Sequence, residues 1–252
     1  MMERYFPHEQ LAVYGVALKF ATLADGLLGT WESSWAVHSQ FDRAVESVVT
    51  NLAKAARLRA TDAGVYSLEC SLGSVLECGA CMDVAFCRGL VDATRMNSAK
   101  DVLRQIARME VGLRKSWEAC VSEQPDTYGT DSEKYFRHES LEVYQRSLQV
   151  HEALNAVWQM GQKRTRPVKR IDELTTSLTL NIAEGNGRFS RVDHRKFLGT
   201  AEDAGTKLAA YLDLLAPASL INTKRVKCYL REVMAMLSGL RGYLDESRNE
   251  ER

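Results

Sequence analysis

The chain is short of residues that break or stiffen a backbone. Four prolines and sixteen glycines in 252 residues, with 45% apolar residues, argue against disorder and fit a helical globular protein. An excess of one charge is missing too, because 33 Lys plus Arg balance 33 Asp plus Glu. The whole molecule therefore has no field that draws it to nucleic acid or to an anionic membrane, and any such partner must be met by a local patch. Six cysteines, with no cleavable leader before them, read as reduced thiols rather than a disulfide framework, which points to the cytoplasm. The apolar stretch 11–28 is interrupted by Lys19 and Asp25, and its counterpart further along carries Glu142, Arg146, His151 and Glu152, so neither reads as a membrane span. No Walker loop, dinucleotide fingerprint or G-x-S-x-G is present, and the His8-Glu9 and His138-Glu139 pairs lack the second histidine of a zinc protease helix. These absences favour a non-enzymatic protein without cofactor or metal.

What is present is a repeat. Tyr5-Phe6-Pro7-His8-Glu9 with Leu11, Val13 and Tyr14 returns 130 residues later as Tyr135-Phe136-Arg137-His138-Glu139 with Leu141, Val143 and Tyr144. The same offset carries Asp42 onto Asp172, Ser47 onto Ser177, Asn51 onto Asn181 and Asp83 onto Asp213. A period of domain size means duplicated modules. The expected organisation is a first unit over 1–122, a linker over 123–134 within an acidic, Pro- and Gly-containing stretch, and a second unit over 135–252.

Each unit shows four amphipathic helices. Apolar residues recur at spacings of three and four, as in Val13, Ala17, Phe20, Ala24 and Leu27, or Phe41, Ala44, Val45, Val48 and Leu52. A hydroxyl cap is expected at Thr61-Asp62 for the third helix and at Ser190 for its counterpart. In the fourth helix the offset becomes 131. No alternating β pattern survives, and short turns between long helices predict an all-α chain of two tandem antiparallel up-down-up-down four-helix bundles. The units are expected to pack through long helical faces as a pseudo-dimer, so that the protein is a monomer or an oligomer with an even number of bundles.

Phe136, Leu141, Val143 and Tyr144, then Asn181-Ile182-Ala183-Glu184-Gly185 with Ser177 four residues earlier, then Phe197-Leu198 and Ala201, resemble the four helix bundle protein family. That family includes proteins encoded in intervening sequences of bacterial large-subunit ribosomal RNA genes, and is similar to the accessory variability determinant that partners the reverse transcriptase of diversity-generating retroelements. The first unit has lost the Glu-Gly ending, reading Lys54-Ala55, but keeps Gly73-Ser74-Val75-Leu76-Glu77, which resembles the family's Gly-Ser-x-x-Glu. The second unit keeps Glu184-Gly185 and has Asp203-Ala204-Gly205-Thr206-Lys207 in the matching place. Both pieces can act together only across the two units. A purely structural reading stands beside this one: Gly185 as a helix-stopping glycine, and Ser177 with Asn181 as a hydrogen-bonded pair between helices.

Cys78-Gly79-Ala80-Cys81 has C-x-x-C spacing, but it lies on a predicted helix with no second pair to complete a metal site, and buried free thiols are common. Charge placement is more telling. Lys163, Arg164, Arg166, Lys169 and Arg170 fall around the first turn of the second unit, and Lys224, Arg225 and Lys227 around its third. In an up-down bundle these turns share one end. That basic pole is the candidate contact for RNA or DNA, or for an acidic protein if the chain is an adaptor. The matching pole of the first unit offers Trp31 and Trp35, candidates for protein contact, with a reverse transcriptase among the partners the resemblance implies.

Overall fold

The computed structural model describes residues 6–121, 136–159, 166–188, 190–215 and 222–250. The chain is all-α, and no strand occurs among the described residues. The first half contains α1 (Ala12–Leu28), α2 (Ala36–Leu58), α3 (Asp62–Cys87) and α4 (Ala93–Val121). The second contains α5 (Glu142–Ala153), the one-turn α6 (Asn155–Trp158), α7 (Arg166–Asn186), α8 (Arg191–Leu215) and α9 (Thr223–Glu250). The expected linker over 123–134 lies outside the described residues.

Local chemistry sets the boundaries. Thr61 Oγ1 accepts from the Gly64 amide at 3.1 Å and starts α3, while Ser190 Oγ accepts from Asp193 N at 3.4 Å before α8. Gly89, with φ at +72°, ends α3, and its amide and that of Leu90 return to the Phe86 and Ala85 carbonyls. The His-Glu pairs lie outside the first α-helix of each half. They form short 3-10 turns, Pro7–Gln10 and Arg137–Ser140, in front of α1 and α5.

Helix α1 packs on α2 and α4, and α3 packs on the same two; α5 packs on α7 and α9, and α8 on those two. The halves do not stand apart. Helix α3 also packs on α7 and α5, α2 touches α7, and one apolar core runs through both halves. This seam is not two-fold. The counterpart of α3 is α8 and that of α7 is α2, yet among the described residues α8 makes no comparable packing on α2 in return. A face of α2 and α3 thus meets a different face, that of α5 and α7, which makes the contact head-to-tail.

The seam explains the composition of α3. Most of its residues are buried, including Gly73, Leu76, Ala80 and Val84, because its own half covers one side and the second half the other. It is long and apolar enough by length and composition to cross a membrane, but its apolar window is mostly inside the fold. Exposed Asp203, Thr206, Lys207 and Ala210 mark the uncovered side of α8.

Candidate functional site

The two motif fragments that the halves divide between them meet at the seam. Arg188, just beyond α7, lies against Gly73 of α3 so closely that a Cβ at residue 73 would sit 3.0 Å from its guanidinium carbon. The guanidinium pairs with Glu184, contacts Cys70 Sγ at 3.6 Å and stacks over Phe197 at 4.8 Å. Glu77 is half-buried near Glu184. Burial, and next the Glu184 carboxylate, push Glu77 up to about 8 against the pull of Arg43 and Arg188. Burial raises Glu184 as well, with Arg188 opposing it. Gly73, Ser74, Glu77, Glu184 and Gly185 therefore form one composite region.

Within it, Ser177 and Asn181 do not bridge helices. Asn181 Nδ2 donates to the Ser177 carbonyl at 2.7 Å and its hydroxyl at 3.1 Å inside α7, and Asn51 repeats this with Ser47 inside α2. The bridge between helices is Ser47 to Ser74, 2.7 Å between hydroxyls. Gly185 is not a left-handed cap, since α7 continues to Asn186 and Gly89 is the only glycine with positive φ among the described residues. A side chain at 185 would crowd Phe197 Cβ at 3.0 Å and His194 at 3.3 Å, so the glycine serves close packing of α7 on α8.

Sequence reasoning missed the centre of the seam. Arg88, whose side chain is 0% exposed, pairs with Asp172 at 2.5 Å, donates to Thr176 Oγ1 at 2.8 Å and stands 3.3 Å from His151 Nδ1. Its guanidinium carbon lies 5.3 Å from the Trp35 ring and 4.5 Å from the Trp158 ring. The second Asp172 oxygen accepts from the Ala36 amide at 2.8 Å, which ties it to the start of α2. Burial, then Arg88, holds His151 well below its ordinary range, and so neutral. The one available signal was divergence, because the position 130 residues after Arg88 is an alanine, Ala218. Trp31 packs on Phe41 at 5.2 Å and Trp35 edge-on to Trp158 at 5.7 Å. Both tryptophans are buried, so the aromatic pair expected to meet a partner is used inside the chain.

A second unforeseen cluster lies beside it. Lys100 Nζ sits 2.6 Å from Asp83 and 2.7 Å from Glu139, Arg104 reaches Glu139 at 3.3 Å, and Tyr144 donates to Asp83 at 2.8 Å. Burial works to raise Glu139, and the two cations outweigh it and leave it lowered. His138 is fully buried between Phe136 and Tyr144, and burial takes it down to about 3. Asp83, His138 and Glu139 offer ligand atoms within 4.8 Å of one another, but Lys100 already supplies the cation that the two carboxylates share. Cys78 and Cys81 are buried on α3, and burial raises both thiols well above their ordinary range, which leaves them unreactive.

At the basic pole, Lys163 and Arg164 lie outside the described residues, and Arg166 is described only as the start of α7. Lys169, Arg170, Lys224 and Arg225 are exposed. Arg170 pairs with Glu173 at 2.5 Å and also interacts with Tyr211, while Lys227 pairs with Asp213. Two cations from different helices thus reach neighbouring positions on the last turns of α8. No family model matches the chain, and no curated protein or solved structure is significantly similar to it.

Proposed function

We propose that the chain is a non-enzymatic, cytoplasmic helical module for binding and assembly, a tandem relative of the four helix bundle family that assists a nucleic-acid process. RNA or DNA would meet the pole where α7 and α9 begin, beside a reverse transcriptase or in an intervening-sequence setting. The observation that carries this reading is the convergence of Arg170 and Lys227 on the last turns of α8, with Lys169, Lys224 and Arg225 exposed around them. With Tyr211 and Tyr229 held against Arg170 and Arg225, the cations would contact phosphate rather than bases, so affinity should fall steeply with salt and discriminate little among sequences.

The test is retardation of single-stranded and duplex RNA and DNA at low salt. Replacing Lys163, Arg164, Arg166, Lys169 and Arg170 by glutamine should lower both the affinity and its salt slope. Absence of retardation, or retardation unchanged in that variant, overturns the reading. If nucleic acid is not retarded, an adaptor that meets an acidic protein through the same cations takes the place of this reading.

A further inference from the structure

The turn that precedes each first helix occurs twice; the first copy packs on α1 and α2 of its own half, and the second reaches the other half. In the second half Phe136 is 6% exposed and lies on α3 at Gly79, Glu139 meets Lys100 and Arg104, and Tyr144 meets Asp83. This turn thus joins the second half to α3 and α4 of the first. In the first half the rings are arranged in the same way, His8 lying between Phe6 and Tyr14, while Glu9 accepts from the Phe6 amide at 2.7 Å. Yet Phe6 is 67% exposed, and Glu9 is exposed with it.

The surface that receives such a turn also has a second copy. The repeat carries Asp83 onto Asp213, Val84 onto Leu214, and, with the shifted offset of the fourth helix, Lys100 onto Arg231. Asp213, Leu214 and Arg231 are all exposed on α8 and α9. Val84, by contrast, is completely buried at the seam, so Leu214 stands open at a place where its counterpart is covered.

We propose that the Phe6–Tyr14 turn of one chain docks on the α8–α9 surface of a second copy of this chain, repeating at its turn end the head-to-tail contact made inside each molecule. Charge is complementary, Glu9 facing Arg231 and the Tyr14 hydroxyl facing Asp213. The contact is weaker than the internal seam for three reasons. Gly79 becomes Ala209, whose methyl displaces the phenylalanine ring; Glu77 and Glu184 become Lys207 and Lys54 with Leu58 in place of Arg188, so that like charges meet with no counter-ion between them; and Arg88 becomes Ala218. The proposal does not depend on nucleic-acid binding at the basic pole.

Sedimentation velocity and native mass spectrometry of the full chain without nucleic acid, over about 10 to 500 µM, test it. The wild type should show reversible growth in mass with concentration. Phe6→Glu, which loses the turn, and Leu214→Glu, which loses the receiving surface, should each remain monomeric, with helicity checked by circular dichroism. Mixed in equal amounts, the two variants should form a dimer that grows no further, because only one productive contact is left, whereas the wild type should grow past the dimer at which a symmetric contact would stop. A wild type that is monomeric throughout, association unaffected by Phe6→Glu, or a mixture that fails to pair overturns the proposal.

Discussion

Replacing Arg88 by methionine removes the single cation at the centre of the seam and keeps the length of its stem. Asp172 is then buried without the guanidinium, although the Ala36 amide still donates to it, and breaking a buried pair from one side costs about 3–5 kcal/mol. Loss of the guanidinium between the Trp35 and Trp158 rings adds about 1 kcal/mol. A total of about 4–6 kcal/mol is a large share of the stability of an ordinary domain. Urea unfolding followed by circular dichroism and by tryptophan fluorescence should show a lowered midpoint, and the two signals should separate as the halves uncouple. Arg88→Met with Asp172→Asn should recover about 2 kcal/mol, since no unpaired charge is left behind. Arg88→Lys should behave more like the methionine variant than the wild type, because an ammonium cannot reproduce the planar fork between two indoles. A loss below about 1 kcal/mol, or a double variant no better than the single, refutes the idea that Arg88 holds the halves together.

Glu110 is 1% exposed, and burial pushes its carboxyl up to about 8, with the Ser71 hydroxyl opposing. Its raised pKa means that the stability it contributes is fully present below about 4.5 and lost as pH rises through about 8, at roughly 1.4 kcal/mol per pH unit. Ser71 has one hydrogen for two acceptors, the Val48 carbonyl at 3.1 Å and Glu110 at 2.5 Å, and a protonated Glu110 removes the conflict by donating to Ser71. Glu110→Gln, a neutral mimic of that acid, should flatten the dependence of stability on pH and gain most at pH 8–9; an unchanged profile in urea unfolding counts against it. Gly79→Ala places a methyl in the ring of Phe136 and should cost about 1–3 kcal/mol by thermal melting, with Phe136→Ala in the same chain restoring part of the loss. Equal losses with and without Phe136 would show that the crowding lies elsewhere.

The helices were legible because periodicity reports burial directly: the row Val13, Ala17, Phe20, Ala24 and Leu27 is the buried row of α1. Thr61 and Ser190 were equally plain, since a hydroxyl three residues ahead of an amide needs nothing distant. The seam was only half legible. The separation of Glu184 from Gly73 and Glu77 implied that a composite region must span the halves, and Arg188 against Gly73 now joins those pieces. Arg88 and Lys100 were invisible because a buried cation looks like a surface one until the elements that cover it are placed. Trp31 and Trp35 misled for the same reason: two aromatics one turn apart suit an external partner or an internal seam, and only the position of Trp158 decides.

The double burial of α3 also bears on the order in which the protein is made. Its first cover, α2 and α4, emerges with it from the ribosome, but α5 and α7 are synthesised only after the whole first half is complete. During that interval the side carrying Gly73, Leu76, Ala80 and Val84 faces water, on a helix apolar enough to attract membrane-targeting factors and chaperones. Delay between the halves is thus the vulnerable moment in the life of this chain, and a slow second half endangers the first.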